Sequence, residues 1–105
     1  MTDIVMIFCT CGTHDEALTI AESLIEARLA ACVNVLPPVH SIYRWEGEMQ
    51  QSSEVLCLIK TTEANFEKLR ARLVELHSYD VPEVIGLPIK AGHPAYLEWL
   101  AASVK

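Results

Sequence analysis

Residues 4–11, IVMIFCTC, are mostly apolar on both alternating sides. Successive side chains of a strand point to opposite faces, so a chain folding around this run must cover it on both. Such a strand belongs inside a sheet that carries a layer on each face. The 105 residues make one domain, 1–105. A domain of this size buries only about two-thirds of its unfolded surface, yet 51% of the residues are hydrophobic. Large apolar patches are rare on soluble monomers, so the surplus implies burial between copies of the chain.

The rest of the chain supplies the other layers. Thr13 and Glu16 have the T-x-x-E spacing of a capping box, and Asp15 and Glu16 favour the positive end of a helix dipole. Ala17, Leu18, Ala21, Leu24, Ile25 and Leu29 then recur with helical period, which predicts a helix over 14–31. Residues 32–46 are β-like but broken by Pro37-Pro38, so a bend or an edge falls there. Gly47 suits a hairpin turn at Glu46-Gly47-Glu48, and the returning strand spans 49–61. Both arms exceed the ~5–6 residues of an ordinary strand, long enough to reach a neighbouring subunit. Thr62 is placed to cap a second helix, along which Phe66, Leu69, Leu73 and Leu76 repeat. Residues 83–89, EVIGLPI, predict a fourth strand, at an edge because of Pro88, and Pro94 opens a last short helix. The order β-α-β-β-α-β with a C-terminal helix predicts an α+β fold, a ferredoxin-like sandwich with an antiparallel sheet. Right-handed crossovers put both helices on one face. The opposite face stays apolar and again points to self-association.

The net charge is -6 and no basic run or stripe is present. Neither a nucleic-acid backbone nor an anionic membrane is therefore expected as a main partner. No apolar run reaches transmembrane length, and Met1-Thr2-Asp3 has no basic leader. A cytoplasmic setting is expected, with Cys9, Cys11, Cys32 and Cys57 as reduced thiols.

Few residues can carry chemistry. There is no phosphate loop, nucleophile elbow or zinc-finger spacing. Cys9 and Cys11 point to the same side of a strand. A soft ion such as Cu(I) would accept that pair, although free cysteines are more often simply small buried hydrophobes. His77 closes the second helix, and Glu83 follows across Pro82. Imidazole and carboxylate together suit a divalent ion; they equally suit a dipole-stabilised histidine and a paired surface carboxylate. Tyr43 and Trp45 share a face near the hairpin tip, an arrangement that suits an interface or a small-ligand pocket. The residues expected around an intersubunit pocket are Tyr43, Trp45, Lys60, Glu83, Tyr96 and Trp99. An enzyme with Cys9 as nucleophile and His77 as base is disfavoured, because apolar surroundings raise a thiol pKa.

Several segments follow a family pattern, in order and along nearly the whole chain. They are Cys9-Thr10, Leu29 to Asn34, Ser41-Ile42-Tyr43-Arg44-Trp45-Glu46-Gly47, Glu54, Lys60-Thr61, His77 to Glu83, Leu87-Pro88 and Tyr96 to Leu100. Through them the chain resembles the CutA family of divalent-cation tolerance proteins. The resemblance implies a homotrimer whose hairpin arms embrace neighbouring subunits, similar to PII-type signalling trimers. It implies copper or another divalent metal ion as ligand, held by Cys9 and His77. Some members carry two adjacent histidines where this chain has Leu76-His77, and Ser78 stands where proline is frequent. Glu83 is the expected further metal ligand. The expected function is that of a cytosolic homotrimer in tolerance to divalent metal ions, not an enzyme. The alternative is a PII-like small-molecule sensor or protein-interaction hub with intersubunit pockets.

Overall fold

A computed structural model describes residues 2–105. Its elements run β1 (Ile4–Cys11), α1 (His14–Glu26), β2 (Cys32–Val35), β3 (Val39–Trp45), β4 (Glu48–Thr62), α2 (Phe66–Leu76), β5 (Ile85–Pro88) and α3 (Pro94–Ala102). β1 lies between β4 and β5, the interior place its two apolar sides require. β2 lies on the far side of β4, and every pairing is antiparallel. β4 serves twice: residues 55–62 pair with β1, and residues 48–54 pair with β3 beyond the double proline. The result is a sheet with a projecting two-stranded arm, in a molecule 44 Å long and 26 and 24 Å across.

The arm closes in two residues, Trp45 facing Glu48. Glu46 (φ 51) and Gly47 (φ 81) both take left-handed backbone, the pair of conformations that matches strand twist in a two-residue hairpin. Gly47 is the expected glycine there. Glu46 meets the same demand without a glycine's freedom.

The odd-numbered side of β1 forms the core. Ile7, Cys9 and Cys11 pack with Val55, Cys57 and Ile59 of β4, beneath Ala17, Ile20 and Leu24 of α1 and Leu69 and Leu73 of α2. At about 1.5–3 kcal/mol for each large apolar side chain taken fully out of water, this layer dominates the stability. The even-numbered side, with Met6, Phe8, Leu56 and Leu58, is only half-buried. α3 lies against one end of it: Lys60 Nζ donates to Tyr96 Oη at 3.3 Å, and Ile4 and Leu97 flank a shared hollow.

Three boundaries differ from the sequence expectation. α1 stops at Glu26 rather than 31, because Arg28 turns left-handed (φ 59) and Leu29 and Ala30 both donate to the Leu24 carbonyl. The apolar period runs on past the helix because Leu29 and Ala30 pack on the core from a loop. α2 starts at Phe66 after a 3-10 turn over Glu63–Asn65, and Thr62 makes no side-chain cap. Its hydroxyl instead accepts from Asn65 Nδ2, which also donates to the Lys105 carbonyl, both at 2.8 Å. β5 is confined to residues 85–88 and pairs with β1 only as far as Phe8. Past that point the free edge of β1 is open to a side chain.

Candidate functional site

His77 takes that opening. It is the C-cap of α2, with extended backbone (φ -77, ψ 143) that ends the helix and turns the ring toward β1. Its Nε2 donates to the Thr10 carbonyl at 2.8 Å, and its Nδ1 accepts from the Tyr79 N–H at 3.1 Å. Main-chain groups thus engage both ring nitrogens. One donor atom each from Cys9, Cys11 and His77 lie within 4.8 Å of one another, and all three residues are buried. The C-x-C spacing and the end of α2 thus bring two thiols and an imidazole together in the core.

Glu16 organises the same corner. Thr13 Oγ1 accepts from Glu16 N at 3.1 Å, as the capping-box spacing predicts. The Glu16 carboxylate accepts from Gly12 N (3.3 Å) and Ser78 N (2.8 Å), and lies 3.9 Å from His77 Nδ1. It therefore ties the start of α1 to the chain just past α2. Burial, the largest single influence, raises its pKa; the hydrogen bonds from Ser78 and Gly12 and the nearby His77 outweigh it and leave the carboxyl below its ordinary value.

The Cys11 and Cys57 thiols are held protonated. Cys57 stands opposite Cys9 across the β1–β4 pair. A hydrogen bond from Cys57 pulls the Cys11 thiol down, but its bond to Cys9 and its burial prevail and push it up to about 12. The bond to Cys11, and burial after it, raise Cys57 further still. Two thiols and an imidazole are the donor set that thiophilic metal ions take, so the residues fit such an ion. To ligate it, His77 would exchange one of its hydrogen bonds, at about 0.5–1.5 kcal/mol. That cost is small against the ~10–16 kcal/mol of a structural zinc site.

Glu83 does not join this group. It is exposed and lines a cleft of about 740 Å³ together with Thr10, Tyr43, Trp45, Glu54, Tyr79 and Asp80. Glu54 is buried there, 7% exposed, and accepts from Tyr79 Oη at 2.9 Å. Burial first, and then that bond to a carboxylate, raise the Tyr79 pKa and keep the phenol a donor. Tyr79 connects the two places, with its main-chain N–H on His77 and its hydroxyl on Glu54. Lys60, Tyr96 and Trp99 form a separate set: Lys60 Nζ lies 5.6 Å from the Tyr96 ring centre, and the Tyr96 and Trp99 rings are 5.5 Å apart. Within one chain the six expected pocket residues thus fall into two sets, Tyr43, Trp45 and Glu83 in the cleft and Lys60, Tyr96 and Trp99 at α3. Sequence reasoning missed Glu54 and Tyr79 as cleft residues. The available signal was a lone acid opening the apolar run Val55 to Ile59.

Fold and site together define a small α+β protein with an antiparallel sheet, a two-stranded arm and a thiol–imidazole group in its core. Its residues 5–103 match the family described as CutA1 divalent ion tolerance protein. The chain is 49% identical to the divalent-cation tolerance protein CutA of Thermus thermophilus over 95% of each chain. It is 44% identical to the protein of that name from Pectobacterium atrosepticum, over 100% of this chain and 96% of that one. Among solved structures, the Thermus thermophilus protein superposes with a TM-score of 0.95 at 45% identity, covering 97% of this chain and 99% of that one. CutA from Xylella fastidiosa superposes at 0.96 with 38% identity, covering 99% and 100%. The chain belongs to the CutA1 divalent ion tolerance family. Among the described residues, no helix is long and apolar enough to cross a membrane.

Proposed function

We propose that this protein supports tolerance to divalent metal ions by binding copper or another divalent cation directly, with Cys9 and His77 as ligands. The observation that carries the reading is the convergence of Cys9 and His77 in one buried group, from the first strand and the end of the second helix. Glu83 stays outside that group and, with Glu54 and Asp80 in the cleft, would meet an ion on its approach rather than ligate it in the core. The working unit is a cytosolic homotrimer of ferredoxin-like subunits, and it is not an enzyme. The strand order β2-β4-β1-β5, antiparallel throughout, supports the ferredoxin-like assignment. Ile42, Trp45 and Met49, 62%, 48% and 68% exposed on the arm, support assembly, since such surface is covered in a stable oligomer. Both nitrogens of His77 are engaged by main-chain groups, which supports a role without general-base chemistry. Calorimetric copper titration of the reduced protein, with its mass from light scattering, tests the reading. Binding at a simple ratio per trimer that disappears in Cys9→Ser and His77→Ala is expected; unchanged affinity in both variants rejects the assignment.

The cleft favours a second reading, a PII-like sensor or interaction hub. Carboxylates and aromatic rings lining about 740 Å³ are what a small-molecule pocket presents. A thermal-shift screen of metabolites and nucleotides is expected to give a stabilising ligand, and a blank screen counts against the sensor.

A further inference from the structure

The donor group in the core supports an assignment narrower than direct metal binding, and one that rests on that reading. We propose that Cys9, Cys11 and His77 form a three-donor site selective for a soft monovalent ion, Cu(I) or its analogue Ag(I), with Cys11 as an essential ligand. The family resemblance points only to Cys9 and His77; Cys11 enters through the geometry. A point among three atoms no more than 4.8 Å apart lies within about 2.8 Å of each, so small shifts reach the ~2.3 Å of a metal–thiolate bond.

The donor count and chemistry argue for the charge. Among the described residues no carboxylate belongs to the group; Glu16 lies 3.9 Å from His77 Nδ1 with its oxygens accepting from Gly12 N and Ser78 N. Cys9 and Cys11 are both wholly removed from water, so no solvent molecule stands ready to complete a larger shell. Zinc in closed sites takes four ligands, and calcium and magnesium take six or more oxygens. Three soft-to-borderline donors without oxygen suit an ion content with low coordination, and thiolates select Cu(I). A dithiolate around a monovalent ion keeps one negative charge. Cys11 runs directly into the N-cap of α1 at Thr13, where the positive end of the helix favours that charge.

Cys32 supplies an internal control. It is a half-buried thiol on β2, outside the three-atom group. The test is anaerobic competition for Cu(I) between the reduced protein and the chromophoric chelator bathocuproine disulfonate. Wild type, Cys11→Ala, Cys11→Ser and Cys32→Ala are compared, with Zn(II) and Cu(II) titrated on the same samples. One Cu(I) per chain is expected, unchanged in Cys32→Ala. Loss of an outer partner of a metal ligand costs 10–100-fold, so loss of the ligand itself is expected to weaken Cu(I) by roughly 100-fold or more in both Cys11 variants. Equal Cu(I) affinity in wild type and the Cys11 variants overturns the inference. Binding of Zn(II) or Cu(II) that needs Cys9 and His77 but not Cys11 also overturns it, while the proposed function stands. No metal bound in any form overturns both. If the Cys11 variants lose the native far-UV spectrum, X-ray absorption of copper-loaded wild type decides. Two sulfurs and one nitrogen support the site; a single sulfur or an oxygen shell overturns it.

Discussion

His77→Ala removes two hydrogen bonds at a point where the sheet has no other partner to offer. Thr10 loses the donor on its carbonyl, and Tyr79 loses the acceptor for its N–H. An orphaned buried group costs about 1–3 kcal/mol, and the space left by the ring admits water, which holds each loss near the low end. The His77 side chain is wholly buried, so its lost packing adds about 1–2 kcal/mol. The sum is about 3–4 kcal/mol, a large share of the ~5–15 kcal/mol that holds a domain together. Two further substitutions separate the bonds. The side-chain oxygen of asparagine falls near the position of Nδ1, and the side-chain nitrogen of glutamine near that of Nε2. His77→Asn should recover the bond from Tyr79, and His77→Gln the bond to Thr10, each returning about 1 kcal/mol. Urea unfolding followed by far-UV circular dichroism, at one fixed protein concentration so that association weighs equally, measures all four proteins. A loss below about 1 kcal/mol in His77→Ala, or asparagine and glutamine variants no better than alanine, refutes the account of His77 as the partner that closes the β1 edge.

Four other outcomes are expected. Tyr79→Phe leaves buried Glu54 without its donor and should cost about 1.5–3 kcal/mol at neutral pH. The folded-state pKa of Tyr79 is raised, so its stabilising contribution is complete below the ordinary tyrosine value of 10.0 and is lost as pH rises through the raised one. The wild type should lose stability in that alkaline window and Tyr79→Phe should not, as unfolding titrations will show. Glu16 has the opposite sign: its pKa is lowered, so its contribution is complete above the unfolded value of ~4.3 and lost as pH falls through the lower folded one. Glu16→Gln should show a shallower acid limb, and identical limbs would remove Glu16 from the account. Glu46→Asn should raise stability by about 0.5–1 kcal/mol, because asparagine tolerates the left-handed turn position, and thermal unfolding that shows no gain contradicts the turn assignment. Alkylation of the folded protein at neutral pH, read by mass spectrometry, should modify half-buried Cys32 first and leave Cys9, Cys11 and Cys57 intact; early labelling of any core thiol contradicts the packing.

What the sequence determined by itself was local. The doubly apolar run at residues 4–11 demands an interior strand whatever surrounds it, and it lies between β4 and β5. The T-x-x-E spacing starts α1, Pro37-Pro38 parts β2 from β3, and Glu46-Gly47 turns the arm, each through backbone geometry set by neighbouring residues. Cys9 and Cys11 share a side because a strand alternates. Periodicity overran the end of α1, since Leu29 and Ala30 serve the core equally well from a loop.

Only the tertiary structure decided which of these groups meet. It joined Cys11 to Cys9 and His77 and set Glu83 apart from them in the cleft. It turned the Glu16 carboxylate from a helix cap into a tie to Ser78, 62 residues away. It also divided the six expected pocket residues between the arm and α3. The reason is that a local pattern selects a conformation and a face but not a partner. His77 reaches the Thr10 carbonyl because β5 stops pairing at Phe8 and leaves that edge open, and where a strand stops depends on the packing of the whole sheet rather than on the residues beside it.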